Sequence, residues 1–94
     1  MIIQYSKTRQ NARTPQRANP SDAGLDVFYS PEEVHVAGKW LQPGTSSLFP
    51  TGLKFGIPHG YMLEVKNRSG VAARRGLIVG ACVVDSGYTG EGFV

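Results

Sequence analysis

Twelve glycines and six prolines scattered along 94 residues set the first limit on what this chain can fold into. In a helix interior Gly costs about 1 kcal/mol and Pro about 3 kcal/mol relative to Ala. Nowhere between these breakers do apolar residues recur at helical spacing for three turns. The periodicity is that of strands. Leu53, Phe55 and Ile57 alternate with Lys54 and Gly56, and Tyr61, Leu63 and Val65 alternate with Met62, Glu64 and Lys66, with Pro58-His59-Gly60 between the two runs. This pattern predicts a hairpin. Further short strands are expected over 2–5, 26–29, 33–36, 45–49 and 78–84, and one helical turn over 71–75. Short strands at close spacing, punctuated by Gly and Pro, argue for an all-β sandwich or barrel. The length suits a single domain over residues 1–94.

A domain of this size leaves much apolar surface uncovered when alone, so self-association is expected. Six Arg and four Lys against seven acids give a net charge of +3. That is far from the dense basic stripe of a nucleic-acid binder and better suited to a small anion. A single cysteine, Cys82, excludes an intrachain disulfide, and no charged-then-apolar leader opens the chain. A reducing, cytoplasmic setting is the resulting expectation. No apolar run approaches the roughly 20 residues that span a bilayer, so no membrane role is expected. Residues 6–22 carry Lys7, Arg9, Arg13 and Arg17 among polar residues, and Pro15 interrupts any helix that would align the arginines. The segment reads as a solvated loop, with a nucleic-acid or partner contact as the alternative.

Four local features carry chemistry. In Arg68-Ser69-Gly70 a guanidinium fork, a hydroxyl and an approachable backbone suit a phosphate, although the tripeptide is also ordinary turn material. Asp85 ends the apolar run 81–84, where a carboxylate either accepts a proton from water or caps the Ser86-Gly87 turn. Tyr88, between Gly87 and Gly90, presents a ring that packs against a sugar or across a strand pair. Asp26, in Asp22-Ala23-Gly24-Leu25-Asp26, is placed either to help hold a magnesium ion through water or simply to end a turn. His35 and His59 have no partners at zinc-ligand spacing, and neither a Gly-x-Ser-x-Gly elbow nor a Walker-type Gly-Lys-Ser/Thr occurs. Cys82, in an apolar strand, reads as a buried small hydrophobe rather than a nucleophile.

Taken in order, these pieces resemble the trimeric dUTPase family. Ser21-Asp22-Ala23-Gly24-Leu25-Asp26-Val27 is similar to its first motif, Arg68-Ser69-Gly70-Val71-Ala72-Ala73 to its second, and Gly80-Ala81-Cys82-Val83-Val84-Asp85-Ser86-Gly87-Tyr88-Thr89-Gly90 to its third. The resemblance implies the family's all-β jelly roll, a β-clip sandwich, and hydrolysis of dUTP to dUMP and pyrophosphate with Mg²⁺ on the triphosphate. It implies that Asp85 activates the water attacking the α-phosphorus, that Arg68, Ser69 and Gly70 hold the phosphates, and that Asp26 supports the metal through water. Backbone groups of Cys82, Val83 and Val84 would read uracil, and Tyr88 would exclude a 2′-hydroxyl. It also implies a homotrimer whose pocket is shared between subunits.

This chain carries Cys82 where relatives often have Gly, and Asn67 where Pro commonly precedes the Arg. The family's further strands, fourth motif and glycine-rich arm fall after Val94, so the sandwich is expected to be incomplete at its C-terminus. On that expectation the 94 residues alone hydrolyse dUTP poorly or not at all, and a separate C-terminal segment or second chain is a candidate partner. Two alternatives stay open. One is a dCTP deaminase of the same fold, which usually shows Arg-Ser-Ser and an Arg five residues after the first, where this chain has Gly70 and Ala73. The other is a non-catalytic relative that binds a nucleotide or a protein.

Overall fold

The computed structural model describes residues 2–32, 38–80 and 82–94. Four strands and one short helix form in the order β1 (Gln4–Lys7), β2 (Leu53–Gly56), β3 (Met62–Glu64), α1 (Ser69–Arg75) and β4 (Val83–Asp85). β1 pairs antiparallel with β2 from Gln4 opposite Gly56 to Lys7 opposite Leu53, and β3 pairs antiparallel with β4 from Met62 opposite Asp85 to Glu64 opposite Val83. Isolated bridges join Gln16 to Asp26 and Pro50 to Phe93. The expected all-β organisation is present.

The expected hairpin over 53–65 is not. Its turn forms, with the Tyr61 N–H on the Pro58 carbonyl at 3.0 Å. Its two strands, however, pair with different partners, β2 with residues 4–7 and β3 with residues 83–85. Alternation tells a strand which face to bury but not which neighbour to choose. Other boundaries also shift. Among the described residues of the run 78–84 only Val83 and Val84, with Asp85, are in a strand, and 26–29 contributes only the Asp26 bridge. Pairing expected over 45–49 begins at Phe49, whose N–H and carbonyl both bond Val94, at 2.7 and 2.9 Å. The strand expected over 33–36 lies outside the described residues.

The segment from Phe49 to Leu53 is the spine of the fold. On it converge Thr8 (N–H to the Gly52 carbonyl, 2.7 Å), Ser30 (N–H to the Pro50 carbonyl, 2.8 Å) and Gly92, which exchanges bonds with Thr51 and Leu53 at 3.1 and 2.8 Å. Surrounded in this way, Pro50, Thr51, Gly52 and Leu53 are all buried. Thr51 satisfies its hydroxyl by donating 2.7 Å to the Gly92 carbonyl and accepting from the Leu53 N–H. Gly52 is required here twice over. Its φ of +71° disfavours any side chain, and an added Cβ would lie 2.6 Å from the Ala12 Cβ and 2.7 Å from the Ser30 hydroxyl.

The apolar core is thin. Among the described residues only Ala12, Leu53 and Ile57 are buried hydrophobics, while Ile2, Trp40, Leu48, Met62 and Ile78 are among those left exposed. Full burial of Leu53 contributes roughly 2 kcal/mol, so polar contacts carry an unusual share of the order. The basic segment 6–22 is an example. Most of it is the exposed loop expected from its composition, but two of its arginines are anchored. The Arg13 guanidinium stacks 3.8 Å over the Phe28 ring, and the Arg9 guanidinium is bound by Glu91 and Ser30. No helix among the described residues is long and apolar enough to cross a membrane.

Candidate functional site

α1 begins directly at the Arg-Ser-Gly sequence, so what reads as a turn is the first turn of a helix. Arg68 is its N-cap, extended at φ −79° and ψ 122°, with no side chain capping the first-turn N–H groups and no acid in that turn. The helix ends at Gly76, left-handed at φ 67°, whose N–H returns to the Ala72 carbonyl at 3.1 Å. Positions 68, 71 and 75 fall on one face by helical spacing. That face, with Ser69, Gly70 and Arg74, lines an open hollow of about 550 Å³ opposite Ala18, Asn19, Asp22 and Asp26.

Three guanidiniums, of Arg68, Arg74 and Arg75, thus share a rim with two carboxylates. Asp22 is committed locally, accepting from the Asn19 N–H and amide at 2.9 and 3.2 Å. The Asp26 backbone is fixed by the bridge to Gln16, which leaves its carboxylate at the rim, 4.0 Å from Arg68. The Arg68 side chain is 70% exposed, so this contact is screened and adds little stability. It leaves the guanidinium fork able to pair with an incoming anion. The sequence reading does not single out Arg74 and Arg75, although an Arg-Arg pair about two helical turns after Arg68 is the signal that places them here.

Asp85 and Tyr88 occupy a second hollow. The Tyr88 N–H donates to the Asp85 carbonyl at 3.1 Å, closing the tight turn Asp85-Ser86-Gly87-Tyr88 at the end of β4. Both residues line a hollow of about 220 Å³ with Leu48, Val83, Val84, Gly92 and Phe93. Its walls are largely apolar, as those of small-molecule sites commonly are. Cys82 lies beside it in sequence but just outside β4, and it is exposed rather than buried. Its carbonyl already accepts the Val65 N–H at 2.7 Å. Within one copy of the chain, then, Asp26, Arg68, Ser69 and Gly70 meet in one hollow, while Val83, Val84, Asp85 and Tyr88 meet in the other.

The residue most plainly missed from the sequence is Glu91. Its carboxylate accepts both η-nitrogens of Arg9, at 2.9 and 2.7 Å, with the Thr8 hydroxyl at 3.0 Å and the Gly52 N–H at 3.2 Å. The Arg9 bond, helped by those from Thr8 and Gly52, holds the Glu91 carboxyl below its usual range against the opposing effect of burial, and Arg9 is raised in turn. Glu91 is also linked to a residue of the second hollow, because its backbone carbonyl accepts the Tyr88 hydroxyl at 2.7 Å.

The chain is similar in sequence and in fold to known proteins. The dUTPase family model matches residues 10–94. A deoxyuridine 5′-triphosphate nucleotidohydrolase of Gloeobacter violaceus is 43% identical over 79 residues, covering 82% of this chain and 51% of that protein. Its counterpart in Chlamydia trachomatis is 35% identical over 89 residues, covering 93% of this chain and 59% of its own length. The chain therefore spans between half and three fifths of these two curated relatives. Among solved structures, a mutant dUTPase from phage phi11 of S. aureus, described for the coordination of a structural Mg(II) ion, superposes with a TM-score of 0.83 at 30% identity. That match covers 99% of this chain and 57% of the phage protein. A Staphylococcus bacteriophage 80alpha dUTPase mutant, solved with dUpNHpp, gives 0.82 at 29% identity over 98% of this chain and 56% of its own. The four short antiparallel strands and one short helix among the described residues are consistent with an all-β jelly roll. On a family match that covers residues 10–94, and with the three motifs placed as described, the chain belongs to the dUTPase family.

Proposed function

We propose that residues 1–94 act as a single dUTPase-like domain in hydrolysis of dUTP to dUMP and pyrophosphate. The observation that carries this reading is the turn that sets Asp85 and Tyr88 on the wall of one apolar hollow. In this reading the Asp85 carboxylate orients and deprotonates a water for in-line attack on the α-phosphorus, where positioning counts as much as basicity. Arg68, Ser69 and Gly70 hold the phosphate chain. Tyr88 lies against the deoxyribose, and backbone groups around Cys82 to Val84 read uracil. Of these groups the Cys82 carbonyl already accepts one bond, from the Val65 N–H, and Val83 and Val84 lie in the strand paired with β3.

Among the described residues no group of three or more His, Cys, Asp or Glu could hold a metal unaided. Magnesium is ordinarily bound by one or two carboxylates together with substrate phosphates and water. Asp26, at the rim of the cationic hollow, fits that arrangement as a water-mediated anchor. When bound with the triphosphate, the ion would offset its negative charge.

The division of the motif residues between two hollows favours a pocket completed by a second copy, as in a homotrimer, and the exposed apolar side chains supply surface for such an assembly. A further C-terminal segment or second chain is a partner of the same kind. A cytoplasmic setting suits a soluble nucleotide substrate. Gly70 and Ala73 stand against the deaminase alternative. The test is product analysis. Pyrophosphate release from dUTP that is lost in Asp85→Asn supports the reading, whereas ammonia release from dCTP overturns it.

A further inference from the structure

The Tyr88 ring is folded back over the backbone at Gly90. A Cβ placed on Gly90 would lie 2.7 Å from the Tyr88 Oη, 2.9 Å from Cζ and 3.3 Å from Cε1. No side chain larger than hydrogen fits there while the ring stays where it is. The hydroxyl completes the pose by donating 2.7 Å to the Glu91 carbonyl. Glu91 is itself immobilised, since Arg9, Thr8 and the Gly52 N–H all bond its carboxylate. The ring is thus held by one contact and one hydrogen bond against an anchored stretch of backbone.

Gly90 does not need to be glycine for its backbone, because it is not among the residues with positive φ. The three atoms nearest to a Cβ placed there all belong to Tyr88. Alanine at this position is acceptable to the chain and unacceptable to the ring. We infer that Gly90 is a positioning residue for sugar selectivity, its missing side chain letting Tyr88 lock onto the Glu91 carbonyl as a fixed wall of the Asp85 hollow. This rests on the reading of that hollow as the deoxynucleoside site. Excluding a 2′-hydroxyl is discrimination by obstruction, and an obstruction works only while it cannot swing aside. With the ring displaced from the carbonyl, the wall becomes a rotamer among several.

The test compares affinity for dUpNHpp with affinity for its ribose counterpart, measured calorimetrically in the unmodified protein, Gly90→Ala, Tyr88→Ala and the double variant. Gly90→Ala should lower the preference for the deoxy compound by about tenfold, the scale of a lost pocket contact. In the Tyr88→Ala background the same change should alter it by less than about twofold, because the coupled partner is gone. Tyr88→Phe, which keeps the ring and removes the hydrogen bond, should give an intermediate loss, and it serves as the second variant should Gly90→Ala not fold. A preference that survives intact in Gly90→Ala or Tyr88→Phe overturns the inference while leaving the dUTP reading in place. Should the unmodified protein show no preference, the dUTP reading fails, and NMR decides the positioning separately. Contacts between the Tyr88 ring and the α-protons of residue 90, lost in Gly90→Ala, support it, and an unchanged ring environment overturns it.

Discussion

Glu91 accepts both η-nitrogens of Arg9, at 2.9 and 2.7 Å, across a separation of 82 residues. The same guanidinium donates to the Ser30 carbonyl through Nε and Nη2, at 3.2 and 3.0 Å, so three distant stretches of chain meet on one planar group. Such two-pronged pairing is directional as well as strong. With side chains only 19% and 14% exposed, the pair is shielded from most screening. Replacing Arg9 with Ala should cost about 2 kcal/mol, below the roughly 3 to 5 kcal/mol of a fully buried pair. Denaturant titration gives the value, and an unchanged midpoint would refute the assignment.

The same pair predicts an acid transition. Glu91 is depressed in the folded protein chiefly by the Arg9 bond. Its stabilisation is therefore fully present above the ordinary glutamate range and disappears as pH falls through the lowered folded value. Arg9 is raised and titrates far above neutrality, so the pair has no counterpart transition in mildly alkaline solution. Thermal melts from pH 7 down to 3 should fall steeply in the unmodified protein and less steeply in Glu91→Gln, which has already lost the titrating group.

Gly52→Ala combines a disfavoured φ of +71° with overlaps on Ala12 and Ser30. A cost of about 2 to 4 kcal/mol is expected from strain and overpacking together. Because Ala12 contributes one of the overlaps, Ala12→Gly in the same chain should recover part of the loss, measurable as a double-mutant cycle.

Arg68→Ala and Asp85→Asn should fail differently. The first should weaken dUTP binding by roughly 10- to 100-fold, the range for a lost charge-assisted contact, while leaving deoxyuridine binding alone. The second should keep affinity and reduce turnover by about 10² to 10⁴-fold. Calorimetry and pyrophosphate release separate them. If the two hollows act across copies, mixing the two variants should restore about a quarter of the sites on random assembly, although each variant alone is impaired at every site.

An assembly that covers Ile2, Trp40, Ile78 and their exposed neighbours should also show a melting temperature that rises with protein concentration. A melting temperature independent of concentration over a hundredfold dilution, about the span needed to see mass action, would argue for a stable single copy.

What could be read from the sequence was local. The Asp85-Ser86-Gly87-Tyr88 turn and the helical turn at 71–75 depend on residues within a few positions of one another, and both are present. What could not be read depends on distance. The alternation of Leu53, Phe55 and Ile57 predicts a strand but says nothing of Gln4 to Lys7 as its partner. Arg9 looks solvated among polar neighbours because the group that binds it lies at Glu91, whose only local hint is a carboxylate framed by Gly90 and Gly92. The segregation of Arg68 and Asp85 into separate hollows is likewise a property of the fold and not of spacing.

The spine at Phe49 to Leu53 also governs when this protein can fold. β1 and Arg9 are made early, yet their partners, Leu53 to Gly56 and Glu91, are made late. At roughly 5–20 residues per second, the emerging chain waits several seconds before its first strand finds a neighbour. During that interval the backbone groups of Gln4 to Lys7 have no strand to pair with, and the time for which this edge stays open grows as translation slows.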